Sequence, residues 1–202
     1  YKRADLDHLL TAGWLFETWA HAACQLPSQH YPYYHAYIEQ KQLKETRWHI
    51  KKLGDESETI ISTVYNTIRE QGAMSSKDFA SPKKQEGGWW NWKPAKVALE
   101  YLFDRGEVMV SHRNKFQRYY DLTERVLAKH DLILDKTIDD FHQWTVARGL
   151  RHIGIGTADH IADYYRQNKT QAKRILADAV ARGDILPVEV VGWQDTAYIH
   201  HD

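Results

Sequence analysis

Two short stretches decide the fold: Arg105-Gly106-Glu107-Val108 and its near twin Arg182-Gly183-Asp184-Ile185. An amphipathic stretch leads to each glycine. Ala172, Ile175, Leu176, Ala179 and Val180 recur at helical spacing before the second. Ala98, Tyr101 and Leu102 do the same before the first, behind Pro94, a residue suited to a first helical turn. Each glycine is expected to end its helix in a left-handed conformation. A β-rich run follows, Val108-Met109-Val110 in one copy and Ile185 to Val191 in the other. Then comes a polar turn, His112-Arg113-Asn114-Lys115 or Gly192-Trp193-Gln194-Asp195, and a second β-rich run, Phe116 to Leu122 or Thr196 to His200.

The same unit extends upstream of each twin. Ile61, Val64, Tyr65 and Ile68 form a helical stripe, Asp55 with Glu58 reads as a capping box, and Gly72 closes the helix. Ser75 or Ser76 is expected to open a short second helix through Phe79. In the other copy Thr137 and Asp140 are the capping pair, Ile138, Phe141 and Thr145 carry the stripe, and Thr157 caps a short helix holding Ile161, Tyr164 and Tyr165. Three helices and a hairpin make a helix-turn-helix with a β wing. A partial third copy stands at the front, where Leu6, Leu9 and Leu10 end a helix, Gly13 closes it and Trp14 to Trp19 reads as strand. The expected fold is therefore α+β, with tandem winged-helix domains. Residues 1–54 are the C-terminal half of a first winged helix plus a connecting helix, 55–130 a second and 131–202 a third.

Composition bounds the function. The 202 residues carry 27 Lys+Arg against 27 Asp+Glu, a formal charge of +0, so any nucleic-acid surface must be local. A hydrophobic fraction of 43% supports a core. No apolar run is long enough for a membrane span. The single cysteine, Cys24, excludes an internal disulfide and a cysteine-based metal site. The spacing of the 12 histidines matches no helical metal pair: His30 and His35, or His152 and His160, miss the required geometry. No phosphate loop, dinucleotide fingerprint or serine-hydrolase elbow occurs. Gly154-Ile155-Gly156-Thr157 is explained by a helix cap without a ligand. Neither metal nor cofactor is expected.

Two regions have the make-up of a nucleic-acid contact. His112, Arg113, Asn114, Lys115, Gln117 and Arg118 lie on the expected wing without a carboxylate among them. A solvated hairpin tip is the plain alternative. The segment Pro82 to Pro94 precedes the helix that a DNA-binding module uses for recognition. Within and just beyond it, Lys83, Lys84, Lys93 and Lys96 suit phosphates. Trp89, Trp90 and Trp92 suit either base stacking or, more commonly, a small core of their own.

Three stretches carry a family resemblance. Glu17-Thr18-Trp19-Ala20-His21-Ala22-Ala23-Cys24 with Leu26-Pro27, Gly88-Trp89-Trp90-Asn91-Trp92-Lys93-Pro94, and Asn114 to Thr123 resemble the YcaQ/AlkZ-type winged-helix DNA glycosylases, and the resemblance runs along nearly the whole chain. It implies tandem winged helices followed by a β-rich domain in a longer protein. It also implies hydrolysis of the N-glycosidic bond of alkylated purines, including crosslinked ones. The implied partner is alkylated or crosslinked double-stranded DNA, the implied setting the bacterial cytoplasm at the nucleoid, and the implied state a monomer away from membranes.

The family's catalytic Gln-x-Asp motif belongs to the front of the first winged helix. It has no counterpart here, and Gln40-Lys41-Gln42 sits in surroundings that do not match. The expectation is an internal piece without its catalytic residues, starting at Tyr1 rather than a Met, in which Trp19 and His21 flank the missing pocket. Two other readings are a winged-helix transcriptional regulator, which would dimerise and read half-sites, and a module that packs on protein partners.

Overall fold

A helix that stops at a glycine and turns into a strand recurs along the chain. The computed structural model describes residues 2–20, 22–45, 47–79, 93–128 and 130–201. It begins with α1 (Arg3–Thr11), β1 (Leu15–Trp19), β2 (Ala23–Pro27), α2 (Tyr31–Glu45), α3 (Arg47–Leu53) and α4 (Ser57–Gln71). Next come α5 (Pro94–Asp104), β3 (Val108–Asn114), β4 (Gln117–Leu122) and α6 (Thr123–Leu127). The remainder holds α7 (Ile138–Ile153), β5 (Ile155–Thr157), α8 (Ala158–Tyr164), α9 (Lys169–Arg182), β6 (Ile185–Val188) and β7 (Ala197–His200). Two compact units result: Tyr1–Glu17 with Gln25–Asp135, and Thr18–Cys24 with Lys136–Asp202. The chain is thus mixed α+β, helices with small antiparallel sheets. No helix among the described residues is long and apolar enough to cross a membrane.

The glycine stops are the same in three places. Gly106 (φ 70°) and Gly183 (φ 81°) are left-handed, as is Gly13 (φ 82°). In each case the glycine amide and the next one turn back onto the last helical carbonyls. Gly106 donates to Phe103 at 3.0 Å and Glu107 to Leu102 at 2.9 Å; Gly183 donates to Val180 and Asp184 to Ala179, both at 3.0 Å. Gly13 donates to Leu10 at 3.0 Å and Trp14 to Leu9 at 2.9 Å. This paired closure satisfies carbonyls that a helix end otherwise leaves bare. The strand then starts at Leu15, Val108 or Ile185, in the same place relative to its glycine. An ion pair straddles two of the glycines, Arg105 Nε to Glu107 at 2.6 Å and Arg182 Nε to Asp184 at 2.8 Å.

In each of the two larger copies a further segment pairs with the second strand of the hairpin, by a single bridge in one and a short strand in the other. In the first unit Met74 bridges Tyr120 on β4, with N···O distances of 2.9 and 2.8 Å. In the second, β5 pairs β7, giving the order β5-β7-β6. The core of the first unit combines Val64 and Ile68 of α4 with Ala98, Leu99 and Leu102 of α5, Val108 and Val110 of β3, and Tyr120 and Leu122 of β4. Leu10 of α1 is buried in that same core. The second unit packs Val146 and Leu150 on Ile161, Ala172, Leu176 and Ile185. Each such large side chain contributes about 1.5–3 kcal/mol on full burial.

Several local expectations need correction. Asp55 and Glu58 do not form a capping box. A tight turn over Gly54–Glu56 runs straight into α4, and the Ser57 amide bonds the Gly54 carbonyl, so backbone meets the need first. Ser75 opens a turn rather than a helix among the described residues: its amide and hydroxyl both donate to Asp78 Oδ2 at 2.8 Å, and one turn alone does not offset the cost of helix nucleation. The polar turn at 112–115 shrinks to Lys115-Phe116, since His112, Arg113 and Asn114 pair with Tyr119, Arg118 and Gln117. The run from Ile185 ends at Val188. β6 is an edge strand, which tolerates Pro187. The Thr137–Asp140 and Thr157 caps form as read, the latter hydroxyl accepting from the His160 amide at 3.3 Å.

Substituting the glycines separates two costs. Gly183→Ala meets no atom within 4 Å, so only the backbone conformation penalises it, by about 1 kcal/mol. Gly106→Ala adds a Cβ 3.2 Å from Ile38 Cγ2 and is expected to lose more stability in urea denaturation. Equal losses would show that the close approach costs nothing.

Candidate nucleic-acid interface

The β3–β4 hairpin is built to hold a short tip outward. A register shift between Val110 and His112 leaves Ser111 as an extra residue, its hydroxyl donating to the Tyr119 carbonyl at 3.2 Å. Bulges of this kind sharpen local twist. Beyond it the His112 ring stacks on Tyr119 at 4.5 Å and 14°. The turn is two residues long, and Lys115 takes a left-handed φ of 58° that glycine would adopt without cost. Phe116 follows it and is 82% exposed.

A buried carboxylate anchors the hairpin just below its tip. Glu17 on β1 is only 4% exposed. Arg113 meets it with two hydrogen bonds, Nε to Oε1 and Nη2 to Oε2, the latter at 2.7 Å. Arg118 Nε reaches Oε2 at 3.0 Å, and Gln25 Nε2 donates to Oε1 at 3.2 Å. Burial pushes the Glu17 carboxyl up, but the hydrogen bonds from Arg113 and Gln25 and the charges of Arg113 and Arg118 outweigh it, and the net shift is downward. Arg118 also lies 3.8 Å from Glu100 Oε1, which accepts from the Tyr120 hydroxyl at 3.3 Å. Burial and the nearby Glu100 charge raise the Tyr120 phenol well above its ordinary value.

The residues singled out from sequence thus divide. Arg113 and Arg118 are brought together, but on a carboxylate 96 and 101 positions away. Asn114 and Lys115 are exposed at the tip, with Gln117 half-buried beside them. Lys93 is exposed at the start of α5. Lys96, one turn on, lines a cleft of about 360 Å³ between α5 and the hairpin, with Ser76, Leu99, Glu100, Arg113, Phe116, Gln117, Arg118 and Tyr120. Trp19 ends β1, half exposed. His21, Lys83, Lys84, Trp89, Trp90 and Trp92 lie outside the described residues. Gln40 and Lys41 are on α2, where the Lys41 ammonium sits over the Tyr37 ring at 4.6 Å. No group of three or more His, Cys, Asp or Glu among the described residues is placed to hold a metal ion. Sequence reading missed Glu17 as a partner, because nothing near it in the chain announces a pairing so distant.

The second unit repeats the glycine closure with a different connection after it. Its β6–β7 connection, residues 189–196, contains Glu189 and Asp195 and neither Lys nor Arg. On α8, Asp159 takes Lys169 at 2.7 Å and Lys173 at 3.8 Å. The acid-free tip belongs to the first unit.

The fold of this chain is also found in a solved DNA glycosylase. DNA glycosylase AlkZ of Streptomyces sahachiroi superposes with a TM-score of 0.59 at 15% identity, covering 99% of this chain and 56% of that one. The family model for AlkZ-like DNA glycosylases matches residues 1–202, and the chain belongs to that family. It spans little more than half the length of the Streptomyces protein.

The clamp has a pH signature. Because the folded-state carboxyl of Glu17 titrates below its ordinary value of 4.5, its stabilisation is fully present above that value and is lost as pH falls through the folded one. Glu17→Gln is expected to flatten this acid limb in thermal melts. Glu17→Ala leaves two guanidinium groups facing a void and is expected to cost about 3–5 kcal/mol near neutral pH. An acid limb unchanged in Glu17→Gln would remove the clamp from the account.

Proposed function

We propose that this chain is the DNA-binding part of a glycosylase that hydrolyses the N-glycosidic bond of alkylated or crosslinked purines in double-stranded DNA. The family match along all 202 residues carries this reading. In the same proposal the repeated modules are winged helices: α4, the Met74 bridge, α5, β3 and β4 form one, while α7, β5, α8, α9, β6 and β7 form another. Residues 1–54 contribute the end of a first and its connection, followed by modules over 55–130 and 131–202. The setting is cytoplasmic, at the bacterial nucleoid, with the protein acting as a monomer.

The chemistry asks little beyond placement and charge. Alkylation at N7 makes the purine cationic and a better leaving group. The remaining tasks are to stabilise the cationic sugar and direct water to it. A carboxylate suited to that work is absent from the Gln-x-Asp context, since the 202 residues contain no such triplet. Glu17 is already committed as counter-ion to two arginines. The chain's own part is therefore to hold the duplex. Lys93, Lys96, His112, Asn114, Lys115 and Gln117 supply contacts to the DNA backbone, Lys83, Lys84, Trp89, Trp90 and Trp92 extend that surface, and Trp19 and His21 stand beside the base pocket. Arg113 and Arg118 act from behind, as the brace.

Fluorescence anisotropy with an undamaged duplex tests this. Binding is expected to be salt-dependent and largely indifferent to sequence. Replacing Lys93, Lys96 and Lys115 with Ala together should weaken it and lower the slope of log affinity against log salt by about one for each phosphate no longer neutralised. An unchanged slope would remove these lysines from the interface, and selection of one palindrome from a random pool would favour a transcriptional regulator instead. The chain alone is expected to release no N7-methylguanine from treated DNA, and measurable release would place the catalytic group within these residues.

A further inference from the structure

We propose that Phe116 is an apolar wedge that enters between two base pairs of the duplex held by this hairpin, an inference that rests on the DNA-binding reading above. Singly exposed hydrophobic residues are ordinary on protein surfaces, so exposure alone decides nothing. What sets Phe116 apart is its mounting. It occupies the second position of a two-residue turn and is 82% exposed. Its carbonyl accepts a hydrogen bond from Arg113 Nη1 at 3.3 Å, and the same guanidinium is fixed by the buried Glu17. The backbone that carries the ring is thereby tied to the core of the first unit. Val191, fully exposed in the matching connection of the second unit, has acidic neighbours instead.

The surroundings fit a nucleic-acid groove. From His112 to Tyr120 the hairpin contains no carboxylate, and Asn114, Lys115 and Gln117 flank the ring with groups suited to phosphates and groove edges. A ring on a rigid support, shouldered by a cation and two amides, matches the way architectural proteins insert an apolar side chain and partly unstack a base step. Holding the backbone beneath the ring beforehand lowers the ordering cost that a mobile tip would incur on binding. For a glycosylase the consequence is direct: a base pair loosened by a wedge is easier to open, because extrusion then starts from a partly unstacked state.

The test uses the 202-residue chain and a duplex bearing 2-aminopurine at its central step, with binding followed by anisotropy and unstacking by 2-aminopurine fluorescence. Wild-type binding is expected to raise the fluorescence. Phe116→Ala should abolish that rise and weaken binding by about 5- to 150-fold, the range that loss of one aromatic–base stack brings. Its salt slope should be unchanged, because no cation has been removed. Phe116→Leu keeps an apolar tip and should keep most of the rise, and both variants should melt as the wild type does. Salt-dependent binding without any fluorescence change, or Phe116→Ala binding as tightly as wild type, would overturn the wedge and leave the DNA-binding reading standing. No salt-dependent binding by the wild type would overturn both.

Discussion

A carboxylate withdrawn from water must be met by positive charge, and Glu17 is met by two guanidinium groups from a single hairpin. Either partner left alone would be an uncompensated charge in a dry site, which is why such pairs constrain geometry more strongly than they add stability. The consequence runs through the first unit. β1 and the β3–β4 hairpin are joined at one point, the hairpin's two arginines are committed inward, and the groups left facing out are Asn114, Lys115 and Phe116. A stretch that reads as uniformly basic thus separates into a structural base and an outward tip.

The scaffold under this arrangement is repeated. Gly13, Gly106 and Gly183 close their helices with the same pair of backbone hydrogen bonds, and each passes the chain into a strand at the same distance. Repetition of backbone does not carry repetition of surface. The hairpin of the first unit has an acid-free tip, whereas the matching connection of the second holds Glu189 and Asp195. The glycine closure recurs, and a few charged side chains distinguish the two connections that follow it. The whole chain, residues 1–202, belongs to the AlkZ-like DNA glycosylase family.

The amino-acid sequence by itself determined the element plan. Helical stripes, the Thr137 and Thr157 caps and the arginine–glycine twins are local signals, set within a turn or two of backbone, and local signals survive without knowledge of the rest. In two places where the plan failed, a competing local bond was the cause: the Gly54 carbonyl at the start of α4, and the Ser75–Asp78 contact that closes a turn. Only the tertiary structure decided which cations meet the buried carboxylate. Arg113 on β3 and Lys115 in the turn after it are two residues apart and look alike in sequence. A carboxylate 96 positions earlier separates them, because the energy of a buried charge depends on what lies beside it in space, and spacing along the chain does not encode that.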